Sequence, residues 1–145
     1  MPKKESHNSI SEAEWEVMRV IWTLGEARTS QVIEELREKM NWSDSTIKTL
    51  MRRLVQKNLL EIHKEGHRYI YIPTKSQRQM MFEVTTEMMK HMCDMHKGEV
   101  LIQLVKDAPL SKSDIATLEK ELKSKEKNAP DEVPCNCLPS EKSRC

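Results

Sequence analysis

Three of the four cysteines, Cys135, Cys137 and Cys145, fall within the last eleven of 145 residues. Thiolates spaced Cys-x-Cys bind one soft ion from a single short loop, and the softest biological candidates are Cu(I) and then Zn(II). Cys145 supplies a third sulfur. The alternative is a tail with incidental thiols, which fits such crowding poorly because the preceding 134 residues hold one cysteine. His91-Met-Cys-Asp-Met-His96 is a second group of soft donors, with His91 and Met95, and Met92 and His96, at i,i+4 spacing. A helix end with a buried Cys93 thiol is the simpler reading there. Met80, Met81, Met88 and Met89 read as interface packing rather than a copper-binding methionine box, since Met fills irregular contacts.

A different chemistry lies between Ser43 and Lys57. Ile47, Leu50, Met51, Leu54 and Val55 form one apolar helical stripe. Ser45, Thr46, Lys48, Thr49, Arg52, Arg53, Gln56 and Lys57 occupy the other face, with no carboxylate after Asp44. Ser43 is a natural N-cap, and Trp42 and Ile47 are spaced as a hydrophobic staple. Taken alone, this could be an ordinary amphipathic surface helix. Hydroxyls and cations on a well-anchored helix also suit a DNA major groove, where phosphates need cations and base edges need hydrogen-bonding groups. A net charge of +1 does not itself suggest nucleic acid, but residues 41–78 carry eight Lys/Arg against three Asp/Glu. Such a localised basic patch is the footprint of a DNA binder.

The elements that must position this helix are legible by period and punctuation. Residues 1–8 read as a disordered N-terminus. Ser11-Glu-Ala-Glu14 is spaced as a capping box, with Ile10 and Trp15 as its staple, and opens a helix over 12–24 that carries Val17, Met18, Val20, Ile21 and Leu24. Gly25 fits its stop. Thr29 is expected to cap a helix over 30–40 with Val32, Ile33, Leu36 and Met40 inward. The short link from Met40 to Ser43 demands a sharp turn, giving a helix-turn-helix with 43–57 in the recognition position. The period then changes to two through Leu60, Ile62 and Lys64, Glu65-Gly66 supplies a turn, and His67 to Ile72 returns before Pro73. This hairpin is a wing. Lys64, His67 and Arg68 stand at its tip, and His63 and His67 read as exposed hairpin histidines rather than ligands.

Residues 75–127 read as a helical dimerisation region: a helix over 76–91, an apolar run at 100–105, and a restart at Ser111 with Asp114 after Pro109. Ile115, Leu118 and Leu122 form a narrow seam. These faces have too little mass for their own core, which predicts a homodimer. Residues 128–145 are a linker and the cysteine tail. The fold class expected is mainly α: a winged helix-turn-helix over 9–74, the helical dimerisation region, then the flexible tail. No apolar stretch approaches the roughly 20 residues of a membrane span and no signal-peptide pattern is present, so a soluble, cytoplasmic protein is expected. Four cysteines in such a chain argue against a disulfide framework. Three glycines and the absence of paired carboxylates or an activated nucleophile argue against an enzyme.

Ile10-Ser-Glu-Ala-Glu-Trp-Glu-Val-Met-Arg-Val-Ile-Trp22, Trp42-Ser-x-Ser-Thr-Ile-Lys-Thr-Leu50 and Lys64-Glu-Gly-His-Arg-Tyr-Ile-Tyr71 resemble the BlaI/MecI/CopY family of dimeric winged-helix repressors over about residues 9–127. The tail makes the chain look like the copper-responsive CopY branch. The resemblance implies a dimer on a palindromic TACA/TGTA operator of double-stranded DNA ahead of a copper-homeostasis operon. By the same resemblance, copper-free or Zn(II)-loaded protein would repress, and Cu(I), with a copper chaperone as candidate donor, would release the DNA. Candidate DNA contacts are Ser43, Ser45, Thr46, Lys48, Thr49, Arg52 and Arg53 on the helix and Lys64, His67 and Arg68 on the wing. The CopY pattern has two Cys-x-Cys pairs; here the second is absent and Cys145 stands eight residues after Cys137. A β-lactam-responsive repressor of the BlaI/MecI type is an alternative, although that branch is cut at an Asn-Phe bond and Phe82 here follows Met81. A metal-carrying protein using the tail is a third.

Overall fold

The computed structural model describes residues 10–139. Its elements are α1 (Glu12–Leu24), β1 (Ala27–Arg28), α2 (Thr29–Met40), α3 (Asp44–Gln56), β2 (Leu60–Glu65), β3 (Arg68–Pro73), α4 (Gln77–Lys90), a 3₁₀ turn at Asp94–His96, α5 (Lys97–Asp107) and α6 (Lys112–Glu126). The chain divides into two compact units, one reaching Glu87 and the other starting at Met88.

In the first unit, α1, α2 and α3 close around Val17, Met18, Ile21, Val32, Leu36, Ile47, Met51 and Leu54, none more than 1 % exposed. Each of these came from a 3.6-residue stripe, so burying the stripes together builds the core. Val55 and Trp42 are half-buried and pack against it, whereas Leu24, expected inward, is 42 % exposed because it ends α1 just before the chain turns at Gly25, φ 85°. The first unit extends into α4 because Met80 is completely buried in the core. The Trp22 indole N–H also donates to the Lys75 carbonyl at 2.9 Å, fastening the approach to α4 against α1.

Two caps differ from expectation. Ser11 Oγ accepts from the Glu14 N–H at 3.2 Å, but the other half of the expected box is replaced by a link from Glu14 to Lys57, 2.6 Å away. The second helix starts at Thr29 with Arg28, not Thr29, as its N-cap. Arg28 is held extended by pairing with Ile70, so the helix begins directly after it, and Gln31 Oε1 accepts the Arg28 N–H at 2.9 Å. The turn into α3 comes from Asn41 in the left-handed region, φ 56°, a conformation Asn tolerates better than most residues.

The wing is a two-residue hairpin. Leu60 pairs with Pro73 and Glu65 with Arg68, leaving Gly66-His67 as the turn, one residue later than the spacing suggested. Gly66 supplies a φ of 62°. β1 adds a third strand, order β1-β3-β2, that the sequence reading did not include. Within β2 only Leu60 is buried and Ile62 is 44 % exposed, so the alternation does not separate an inner from an outer face: the hairpin projects beyond the core.

In the second unit, Ser111 and Asp114 form the expected capping box, Ser111 Oγ accepting at 3.0 Å and Asp114 Oδ2 at 2.9 Å. Among the described residues none of α5 or α6 is buried. Leu101, Ile102, Leu104, Val105, Ile115, Leu118 and Leu122 are all exposed.

Candidate nucleic-acid interface and thiol cluster

The core stripe of α3 fixes which side chains point outward. Ser43, Ser45, Thr46, Lys48, Arg52 and Arg53 are exposed, and Thr49 is half-buried. At the N-terminus Ser43 Oγ accepts from the Thr46 N–H at 3.2 Å and lies 2.9 Å from the Thr46 hydroxyl and 3.1 Å from the Ser45 hydroxyl. This hydroxyl cluster sits at the positive end of the helix dipole, where anions are favoured. One turn on, the Thr49 hydroxyl donates to the Ser45 carbonyl at 2.9 Å, so its proton is committed to the helix.

Electrostatics leave this face cationic. Asp44, the one carboxylate of α3, is engaged by Arg37 of α2 at 2.7 Å. That pairing holds the Arg37 guanidinium above its ordinary pKa, through the hydrogen bond first and the charge second. Lys57, placed on the outer face by periodicity, instead turns under the helix to Glu14, a carboxylate 3 % exposed. Lys48, Arg52 and Arg53 are the cations that remain outward on α3. On the wing, Lys64, His67 and Arg68 are exposed, and His63 lies 3.5 Å from Glu61.

The second candidate site lies in the second unit. The helix expected over 76–91 ends at Lys90 and a 3₁₀ turn follows, so His91, Met92, Met95 and His96 do not share a helix and the i,i+4 pairs do not form. Cys93 caps that turn and is half-buried rather than buried. Its sulfur meets those of Cys135 and Cys137, all within 4.8 Å of one another. The Cys137 N–H donates to Cys135 Sγ at 3.5 Å, and the Asp94 N–H donates to Asn136 Oδ1 at 2.9 Å. Three soft sulfur donors can hold one soft metal ion. Of the three cysteines proposed as ligands from the sequence, Cys135 and Cys137 come together and Cys145 lies outside the described residues. Cys93 was not foreseen as their partner. Its only signal was its place in a donor-rich stretch, since the spacing to the tail is far longer than any short ligand motif.

Among the described residues no helix is long and apolar enough to cross a membrane. Residues 10–124 match the family model described as penicillinase repressor. The chain is 42 % identical over 94 % of its length, and 93 % of the relative's, to an uncharacterised 16.5 kDa protein encoded 3′ of ptsI in Latilactobacillus sakei. It is 47 % identical to the penicillinase repressor of Bacillus licheniformis over 44 % of this chain and 50 % of that one. A solved structure of the DNA-binding domain of the repressor BlaI shares 43 % identity over 48 % of this chain and 85 % of that one, with a TM-score of 0.46. Cationic α3, the wing behind it and the family match over most of the chain agree: the protein is a member of the penicillinase repressor family, a winged-helix transcriptional repressor of the BlaI/MecI/CopY group and not an enzyme.

Proposed function

We propose that this repressor is copper-responsive. It acts in the cytoplasm as a homodimer on a palindromic TACA/TGTA operator of a copper-homeostasis operon, and leaves the DNA when Cu(I) occupies its C-terminal thiols. The observation that carries the sensing half is the meeting of three cysteine sulfurs within 4.8 Å, a donor set with no purpose in DNA binding. In the DNA-bound state the α3 hydroxyls, Lys48 and Arg52 face base edges and phosphates of the major groove, while Lys64, His67 and Arg68 reach flanking phosphates. The exposed apolar residues of α5 and α6 supply the surface on which two copies pair. Zn(II) is a candidate for the repressing form and a copper chaperone for the donor.

Metal can release DNA only by favouring a dimer state that binds the operator less well. The thiols therefore act on the response and not on recognition. Fluorescence anisotropy on a TACA/TGTA duplex tests this with Cys135→Ser/Cys137→Ser beside the unaltered chain. The double variant keeps full metal-free affinity and loses the response to Cu(I). Unchanged affinity of the unaltered chain after copper loading would sink the sensing reading, and loss of metal-free binding in the variant would contradict the division of roles. A β-lactam response has less support, because the sequence contains no Asn-Phe bond.

A further inference from the structure

The thiol cluster joins parts of the chain that lie far apart in sequence. Cys93 stands just before the 3₁₀ turn that leads into α5, and Cys135 and Cys137 belong to the segment after α6. A hydrogen bond holds the two segments together. Asn136, between the two tail cysteines, accepts a hydrogen bond from the backbone N–H of Asp94, the residue after Cys93. Cys93 and Cys135 are half-buried while Cys137 is exposed, so the cluster is sheltered on one side and open to an incoming ion on the other.

We infer that Cys93, Cys135 and Cys137 form a three-thiolate site for one Cu(I) ion that clasps the tail onto the start of α5. This deepens the copper-sensing reading and rests on it for its purpose. Metal–sulfur bonds of about 2.3 Å place the sulfurs of a trigonal site about 4 Å apart. From an upper limit of 4.8 Å, closing on an ion needs sulfur shifts of less than about 1 Å, within reach of side-chain rotation. Soft thiolates select Cu(I) and Zn(II), but Zn(II) in a closed site takes four ligands. Among the described residues no fourth His, Cys, Asp or Glu joins the three sulfurs. Each thiol gives up its proton as it binds, so loading releases up to three protons and leaves the site with two net negative charges. The third ligand is thus not a tail residue. That matters mechanically, because a site confined to the tail would leave the helices untouched, whereas this one fixes the tail to the start of α5.

The test is a Cu(I) titration of the full, reduced chain under anaerobic conditions against a chromophoric Cu(I) chelator, with X-ray absorption to count sulfur neighbours. One copper per chain with three sulfurs is expected. Cys93→Ser and Cys135→Ser each lower affinity at least tenfold and reduce the sulfur count, while Cys145→Ser changes neither. Loss in Cys145→Ser with none in Cys93→Ser would overturn the site in favour of one confined to the tail, and binding of Zn(II) but not Cu(I) would overturn the ion. Alkylation of the unaltered chain followed by peptide mass spectrometry removes any dependence on the variants folding. Copper should shield Cys93, Cys135 and Cys137 and leave Cys145 labelled; a labelled Cys93 rejects the proposal. Operator binding in the same samples separates the two readings. Three-sulfur copper with unchanged DNA affinity keeps the site and rejects sensing, whereas copper release persisting in Cys93→Ser keeps sensing and rejects the site.

Discussion

Lys57 Nζ lies 2.6 Å from Glu14 Oε2, joining the end of α3 to the first turn of α1. Glu14 is the one buried charged residue among those described, at 3 % exposure, and the Lys57 side chain is 30 % exposed. Removing one partner of a buried pair leaves the other charge uncompensated, which costs far more than the pair contributes against apolar residues. Lys57→Ala is therefore expected to destabilise the first unit by about 2–3 kcal/mol, discounted for the partial exposure of the lysine. Glu14→Met/Lys57→Met should recover most of that loss. Urea unfolding checks both, and a double variant less stable than Lys57→Ala alone would refute the account.

A second ionic link gives a pH dependence. Glu16 reaches Lys39 of α2 at 2.7 Å and Arg19 at 3.1 Å. The Lys39 hydrogen bond, helped by both charges and opposed by partial burial, holds the Glu16 carboxyl below its ordinary value of 4.5. A lowered folded-state pKa means that the stabilisation is complete above the unfolded value and fades as pH falls through the folded one. Between about pH 5 and pH 3 the unaltered chain should therefore lose stability more steeply than Glu16→Gln. Parallel pH profiles of the two would contradict the assignment.

These two links also mark where sequence reading stops. The core positions of α3, Ile47, Leu50, Met51 and Leu54, were legible because a helix writes its buried face into a local period. The Ser111 cap was legible for the same reason, since its partner is three residues away. Glu14 looked like half of a capping box by spacing, yet its carboxylate is taken by a lysine 43 residues away, which no local pattern records. β1 is two residues long and exists only by pairing with β3. The thiol cluster divides in the same way: Cys135 and Cys137 were visible as a motif, and Cys93 joins them only because the chain folds back.

The outward residues of α3 and the wing should separate by their salt dependence. Lys64→Ala and Arg68→Ala, on the exposed wing, are expected to weaken all duplexes alike and to reduce the slope of log affinity against log salt by about 1 each. Arg52→Ala, if it reads a base edge, should cost about 1–3 kcal/mol on the operator and less on unrelated DNA. Thr49→Val is a sharper case. Its hydroxyl proton is already donated to the Ser45 carbonyl, so it should matter less than Thr46→Val, whose hydroxyl belongs to the exposed cluster at the helix start. Anisotropy titrations across a salt series measure all five, and a larger loss for Thr49→Val than for Thr46→Val would reverse the assignment of the groove-facing edge.

Self-association should depend on α5 and α6. Ile102 and Leu122 are 60 % and 63 % exposed, alongside Leu101, Leu104, Val105, Ile115 and Leu118. Single exposed leucines need no explanation, but apolar patches on this scale mark an interaction surface. Seven large aliphatics across two short helices, with neither helix burying a residue, amount to such a surface. Leu118→Asp/Leu122→Asp places two carboxylates where a second copy would pack, and desolvating them without partners costs more than the contact returns. Sedimentation should find a dimer for the unaltered chain and a monomer for the variant. Because α6 lies outside the unit that carries α3, the monomer should keep its affinity for a half-operator. Its affinity for the full palindrome should fall to that half-site value, since the two half-sites are then bound independently. A variant that still sediments as a dimer would move the pairing surface away from this seam.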